Sequence, residues 1–120
     1  AKALGNKFAI EAVLDQAAAA RARVSDANSF LYLVKANQLF VTGHKGSLEA
    51  GLADVKAKVL LIPAQSDLLL FPEYAKRVKA ILEKQGKQVE YFEIEGDGGH
   101  LDGAFLITKA GEVIRKFLSQ

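Results

Sequence analysis

Apolar residues Phe8, Val13, Leu14 and Ala17 recur at helical spacing in the stretch 8–24, which is alanine-rich and free of Gly and Pro. That pattern predicts a first helix. Ser25, Asp26, Asn28 and Ser29 punctuate it with side chains that hydrogen-bond free backbone N–H groups, ending one helix and capping the next. Phe30, Leu31, Leu33 and Val34 open a second helix expected to run to about Phe40. The stretch 41–51, with Gly43, Gly46 and Gly51, reads as a loop, and Ser47 opens a short helical turn reaching Asp54. The pattern then changes. Residues 58–64 form a continuous apolar run bounded by polar residues, the mark of a strand buried on both faces of a parallel sheet. Pro72 at a helix first turn opens a helix through Ala75, Val78, Ile81 and Leu82, and Gly86 stops it. Residues 89–94, rich in β-branched and aromatic side chains, are the next strand. After a loop over 95–103, the apolar positions from Phe105 to Leu118 mark a final amphipathic helix.

The fold class is therefore α/β: a two-helix excursion, then a strand–helix–strand–helix unit with parallel strands. Two strands are too few for a parallel sheet that must be covered on both faces. The chain is accordingly expected to be the C-terminal part of a larger α/β protein, with self-association that completes the sheet as the alternative. In either case the isolated chain is expected to associate, through an exposed strand edge, with its missing half or with copies of itself.

Length and charge narrow the classes. The 120 residues match one small domain, and 16 basic against 14 acidic residues leave a net charge of +2, well mixed along the chain. No nucleic-acid partner is expected from that balance. No apolar run approaches the roughly 18 to 20 residues of a membrane span, and no signal-peptide pattern opens the sequence, so a cytoplasmic setting without a membrane partner is expected. With no cysteine and only His44 and His100, no metal site, thiolate nucleophile or redox centre is expected.

Ligands of open α/β sheets bind beyond the carboxyl ends of the strands. Two loops emerge there, 65–72 and 95–103, and they place Asp67 and His100 on adjacent strand ends. An acid followed by a histidine on successive strand–helix turns is the back half of a nucleophile–acid–histidine triad in α/β-hydrolase chain order. In such a triad the acid orients the imidazole and stabilises its charged form, and the histidine moves the proton. An Asp after a strand also forms turns, and a His in a Gly-rich loop also occurs merely solvated. Their joint placement favours the catalytic reading. Asp97 and Asp102 flank His100 as rival acids; Asp97 reads as a loop-shaping residue and Asp102 as a substrate contact. His44, in a polar Gly-rich loop, reads as structural or solvated. No Gly-x-Ser-x-Gly turn occurs, and none of Ser25, Ser29, Ser47, Ser66 and Ser119 sits in a strand-to-helix elbow, so the chain alone is expected to be catalytically inert.

At these residues the sequence resembles the homoserine O-acetyltransferase family of the α/β-hydrolase superfamily. The stretch 8–40, with its phrase Asp26-Ala-Asn-Ser-Phe-Leu-Tyr32, resembles that family's helical lid. Ser66-Asp67-Leu-Leu-Leu-Phe-Pro72 resembles its acid loop and Gly98-Gly99-His100 its histidine loop. The resemblance implies a helical lid segment over 1–43 and the C-terminal part of the hydrolase core over 44–120. It also implies Asp67 as triad acid, His100 as triad base, and Tyr32 within a lid over the substrate. Acetyl-CoA is the implied acyl donor, a small-molecule substrate with no resident cofactor, and methionine biosynthesis the implied setting. The serine and oxyanion hole belong to an N-terminal core that this chain does not contain. One departure matters: where homoserine enzymes place an Asp directly after the catalytic His, this sequence has Leu101, with Asp102 one place later. A family carboxylesterase, with water as acceptor, is therefore an alternative. A non-catalytic α/β module that self-associates is another.

Overall fold

The computed structural model describes residues 8–40 and 42–120. Residues 1–7 of the expected lid segment, and Val41 at the start of the expected loop, lie outside the described residues. The chain divides after Phe40 into two compact units.

The first unit contains α1 (Ala9–Val24) and α2 (Ala27–Leu39). Glu11 reaches back to accept the Phe8 backbone N–H at 2.8 Å, tying down the first turn of α1. Asp26 caps α2 by accepting the Ser29 N–H at 2.7 Å. That cap starts α2 three residues before the expected Phe30, because a side chain bonding a backbone N–H three positions on places the residues between them in the first turn. Neither helix buries a residue.

The second unit holds α3 (Leu48–Leu52), β1 (Val59–Leu61), α4 (Pro72–Lys84), β2 (Val89–Tyr91), α5 (Asp102–Phe105) and α6 (Gly111–Leu118). β1 and β2 pair in parallel, with Val59 opposite Val89 and Leu61 opposite Tyr91. Pro63 shortens the regular ladder because it lacks an N–H, yet its carbonyl still accepts from Ile94 at 2.9 Å. The Ala64–Ile94 bridge then resumes the same register. The two loops that follow the strands therefore leave the sheet side by side.

Between the strands, α4 opens on Pro72 and closes at Gly86, whose φ of +71° is the left-handed conformation a helix terminator needs. The Lys87 N–H then bonds back to the Leu82 carbonyl at 2.9 Å. Leu82, Ile94, Ala64 and Ala110 are the most buried apolar side chains, so the core lies between α4, the strand ends and the chain entering α6. The strand residues themselves remain half-buried. The expected single helix over 105–118 is broken into α5, a tight 3-10 turn (Ile107–Ala110) and α6. Thr108 and Gly111 are weak helix formers at the break. Lys58 anchors α6, donating to the Phe117 carbonyl at 2.5 Å with its ammonium 4.7 Å from the centre of the Phe117 ring. Among the described residues, no helix is long and apolar enough to cross a membrane.

Candidate active site

Asp67 follows β1 across a short turn and is buried. Its Oδ1 accepts the backbone N–H groups of Leu69 at 2.8 Å and Leu70 at 2.9 Å, closing a turn of the kind Asp makes with its own following backbone. Its Oδ2 lies 2.8 Å from Nδ1 of His100. Asp67 thus forms the turn with one carboxyl oxygen and contacts His100 with the other.

Burial opposes ionisation of this carboxyl, but the hydrogen bond from His100 and those from the Leu70 and Leu69 amides outweigh it and lower its pKa. An ionised carboxylate only accepts, so Nδ1 carries the proton and, in the neutral ring, Nε2 is the free acceptor. The depressed folded-state pKa sets the sign of the pH dependence. Ionised Asp67 stabilises the paired loops fully above the ordinary aspartate range, and the contribution is lost as pH falls through the lowered value. A carbon-13 titration of the Asp67 carboxyl is expected to give a midpoint below that of an unstructured aspartate; a midpoint above it would mean that burial dominates.

His100 sits in a tight turn (Gly99–Leu101) with its side chain 47% exposed. Gly99 reaches the turn at φ +71°, a conformation that side-chain-bearing residues adopt at a cost. Asp102 folds into the loop. Its carboxylate is buried, with Oδ2 accepting the Gly98 N–H at 2.8 Å and lying 3.5 Å from the Ser66 hydroxyl. A Cβ at Gly96 or Gly98 would come within 2.3 or 2.4 Å of its oxygens, so these glycines let the loop close around it. Asp102 thus shapes the loop, the part the sequence reading gave to Asp97, which is exposed. Leu101, beside His100, is 58% exposed. His44 is exposed, at φ 54°. Tyr32 stands exposed on α2 in the first unit.

Beside the Asp67–His100 pair lies an open hollow of about 580 Å³, walled by Leu61, Pro63, Leu70, Phe71, Tyr74 and Val78. Phe71 and Tyr74 meet edge to face there, 5.7 Å between ring centres. The arrangement sets a half-exposed imidazole, hydrogen-bonded to a buried carboxylate, at the rim of an apolar wall, a geometry that can move a proton beside an apolar ligand. Sequence reasoning missed Ser66, whose Oγ accepts the Gly99 N–H at 3.0 Å. A signal was present: Ser66 and Gly99 have the same separation of 33 positions as Asp67 and His100, so strands in register bring both pairs together.

No protein-family model matches the chain. Homoserine O-acetyltransferase of Methanococcus vannielii is 35% identical over 115 residues, covering 94% of this chain and 23% of that protein. The homoserine O-acetyltransferase of Methanococcoides burtonii is 41% identical over 96 residues, covering 78% of this chain and 19% of that protein. This chain belongs to the homoserine O-acetyltransferase family, as its C-terminal part. Among solved structures, homoserine O-acetyltransferase from Bacillus anthracis is 34% identical with a TM-score of 0.87, covering 98% of this chain and 32% of that one. Esterase E22 is 42% identical with a TM-score of 0.87, covering 94% of this chain and 31% of that one. The fold is accordingly a C-terminal portion of the α/β-hydrolase fold. The chain spans about a quarter of the length of the curated relatives it matches and about a third of the solved chains.

Proposed function

We propose that this chain contributes the acid and the base of a serine acyl-transfer site, whose nucleophile lies in a segment of the protein outside the chain. The observation that carries this is the 2.8 Å contact between Asp67 Oδ2 and His100 Nδ1, made from adjacent parallel strand ends. His100 Nε2 takes the serine proton as the serine oxygen attacks the acyl carbonyl. The protonated ring then gives that proton to the leaving group, and Asp67 stabilises its charge. In the second half-reaction an acceptor hydroxyl passes its proton to His100 and attacks the acyl-serine, and His100 returns the proton to the freed serine. The name shared by the curated relatives supports acetyl-CoA as donor and homoserine as acceptor, hence a step in methionine biosynthesis in the cytoplasm. Under this reading α1 and α2 belong to the lid segment of the complete protein, and Tyr32 is its substrate-binding residue. The serine-bearing segment and further copies of the protein complete the assembly.

A second reading, hydrolysis of an acyl ester, is favoured by a specific observation. An exposed leucine, Leu101, directly follows His100, and the esterase among the solved neighbours is the more identical of the two. A single assay of the complete protein separates the readings. Homoserine-dependent release of CoA from acetyl-CoA is the expected result. Hydrolysis of p-nitrophenyl acetate with no response to acetyl-CoA and homoserine selects the esterase. Activity on neither set of substrates removes the acyl-transfer reading.

A further inference from the structure

Three polar contacts that the proton-transfer pair does not use hold the same two loops, two of them between the loops and one within the histidine loop. The Gly99 N–H donates to Ser66 Oγ at 3.0 Å, the Gly98 N–H donates to Asp102 Oδ2 at 2.8 Å, and the Ser66 hydroxyl faces that same oxygen at 3.5 Å. Ser66 precedes Asp67 and Gly99 precedes His100, so the serine bridges the residues next to the pair. Asp102 comes at the far end of the histidine turn, and its carboxylate folds back to the turn's start. His100 therefore lies on a loop held at both ends, by Gly98 and Gly99 on one side and Asp102 on the other. Burial makes the arrangement costly to break, because Asp102 is 7% exposed and its two seats at Gly96 and Gly98 leave no room for a Cβ. The short parallel ladder brings the two loops close but does not by itself fix their relative height to the fraction of an ångström that proton transfer needs.

We propose that Ser66 and Asp102 are positioning residues that together clamp the histidine loop against the acid loop and set the direction in which His100 presents Nε2. The proposal rests on the acyl-transfer reading above. The contacts of the Ser66 hydroxyl run to the Gly99 N–H and to Asp102 Oδ2, not to the imidazole ring, so its loss acts through the placement of His100. Removing the hydroxyl leaves the Gly99 N–H without its acceptor and frees the turn to shift, while the Asp67–His100 contact alone fixes only one atom of the ring. A shift of that kind slows the proton-transfer steps and leaves the apolar substrate wall untouched.

The test is made in the complete protein with the acyl substrate that the preceding assay selects. Ser66→Ala is expected to lower kcat by about 10- to 100-fold and to leave KM within about twofold. Ser66→Thr, which keeps the oxygen, is expected to restore kcat to within about threefold of the parent. Asp67→Asn serves as the reference. If Asp67→Asn is inactive while Ser66→Ala turns over like the parent, the clamp is wrong and the acyl-transfer reading stands. If Ser66→Ala and Ser66→Thr lose activity equally, or if the loss lies in KM, the serine acts by packing or by substrate contact and the proposal is overturned. Normal turnover of Asp67→Asn overturns the acyl-transfer reading and the clamp with it. Should Ser66→Ala not accumulate as folded protein, Ser66→Cys, of similar shape but a weaker acceptor, takes its place with the same expected split.

Discussion

Asp67→Asn in the complete protein is expected to lower kcat by about four orders of magnitude, and His100→Ala by at least as much. The asparagine has the aspartate's shape, and its carbonyl oxygen can still accept the Leu69 and Leu70 amides that now bond Oδ1. The turn therefore survives. What changes is the other edge of the group, which now presents N–H donors to His100 in place of a carboxylate oxygen. Nδ1 must then accept, the proton moves to Nε2, and the ring offers a donor where the serine needs a base. A charged imidazolium would also lack its counter-charge. Steady-state turnover measures the loss, and a melting temperature close to the parent's is expected to show that the fold is intact. Turnover within tenfold of the parent in both variants would end the assignment of this pair to acyl transfer.

The chain on its own is expected to form no adduct with a serine-reactive fluorophosphonate and to turn over no acyl substrate. The serines whose side chains make the contacts described are committed to structure. Ser47 accepts the Ala50 N–H at the start of α3, Ser66 holds Gly99, and Ser119 donates to the Lys116 carbonyl. Ser25 and Ser29 lie at the junction of α1 and α2, far in sequence from any strand. Activation of a serine needs a base within hydrogen-bond reach and a strained turn that exposes its oxygen. Intact-mass spectra after labelling are decisive. The 12.9 kDa chain on its own is expected to stay unlabelled under conditions in which the complete protein takes up the label. A label on the small chain would show that one of its own serines is activated and would overturn the division of the triad.

Much of this was legible along the chain because it depends on local chemistry. Pro72 and Gly86 bracket α4, the apolar run at 59–64 contains β1, and two loops follow two strands. The break in the last helix was less legible, since the amphipathic period runs through it and only the weak helix formers Thr108 and Gly111 mark the place. The seat of Asp102 was not legible for a related reason. A carboxylate beside a histidine in a Gly-rich loop reads as a group facing a ligand. That Gly96 and Gly98 are glycines in order to seat that carboxylate appears only when the loop is closed around it.

By itself, the sequence determined the order of elements, the parallel α/β unit and the placement of Asp67 and His100 on adjacent strand ends, because periodicity, helix stops and chain order are properties of neighbouring residues. The tertiary structure alone decided that Asp67 divides its two oxygens between a turn and His100. It also decided that Asp102 turns inward and that Ser66 joins the loops. The contacts that join the loops, Asp67–His100 and Ser66–Gly99, link residues 33 positions apart, and they exist only once two strands pair in one register and bring their loops within hydrogen-bond range.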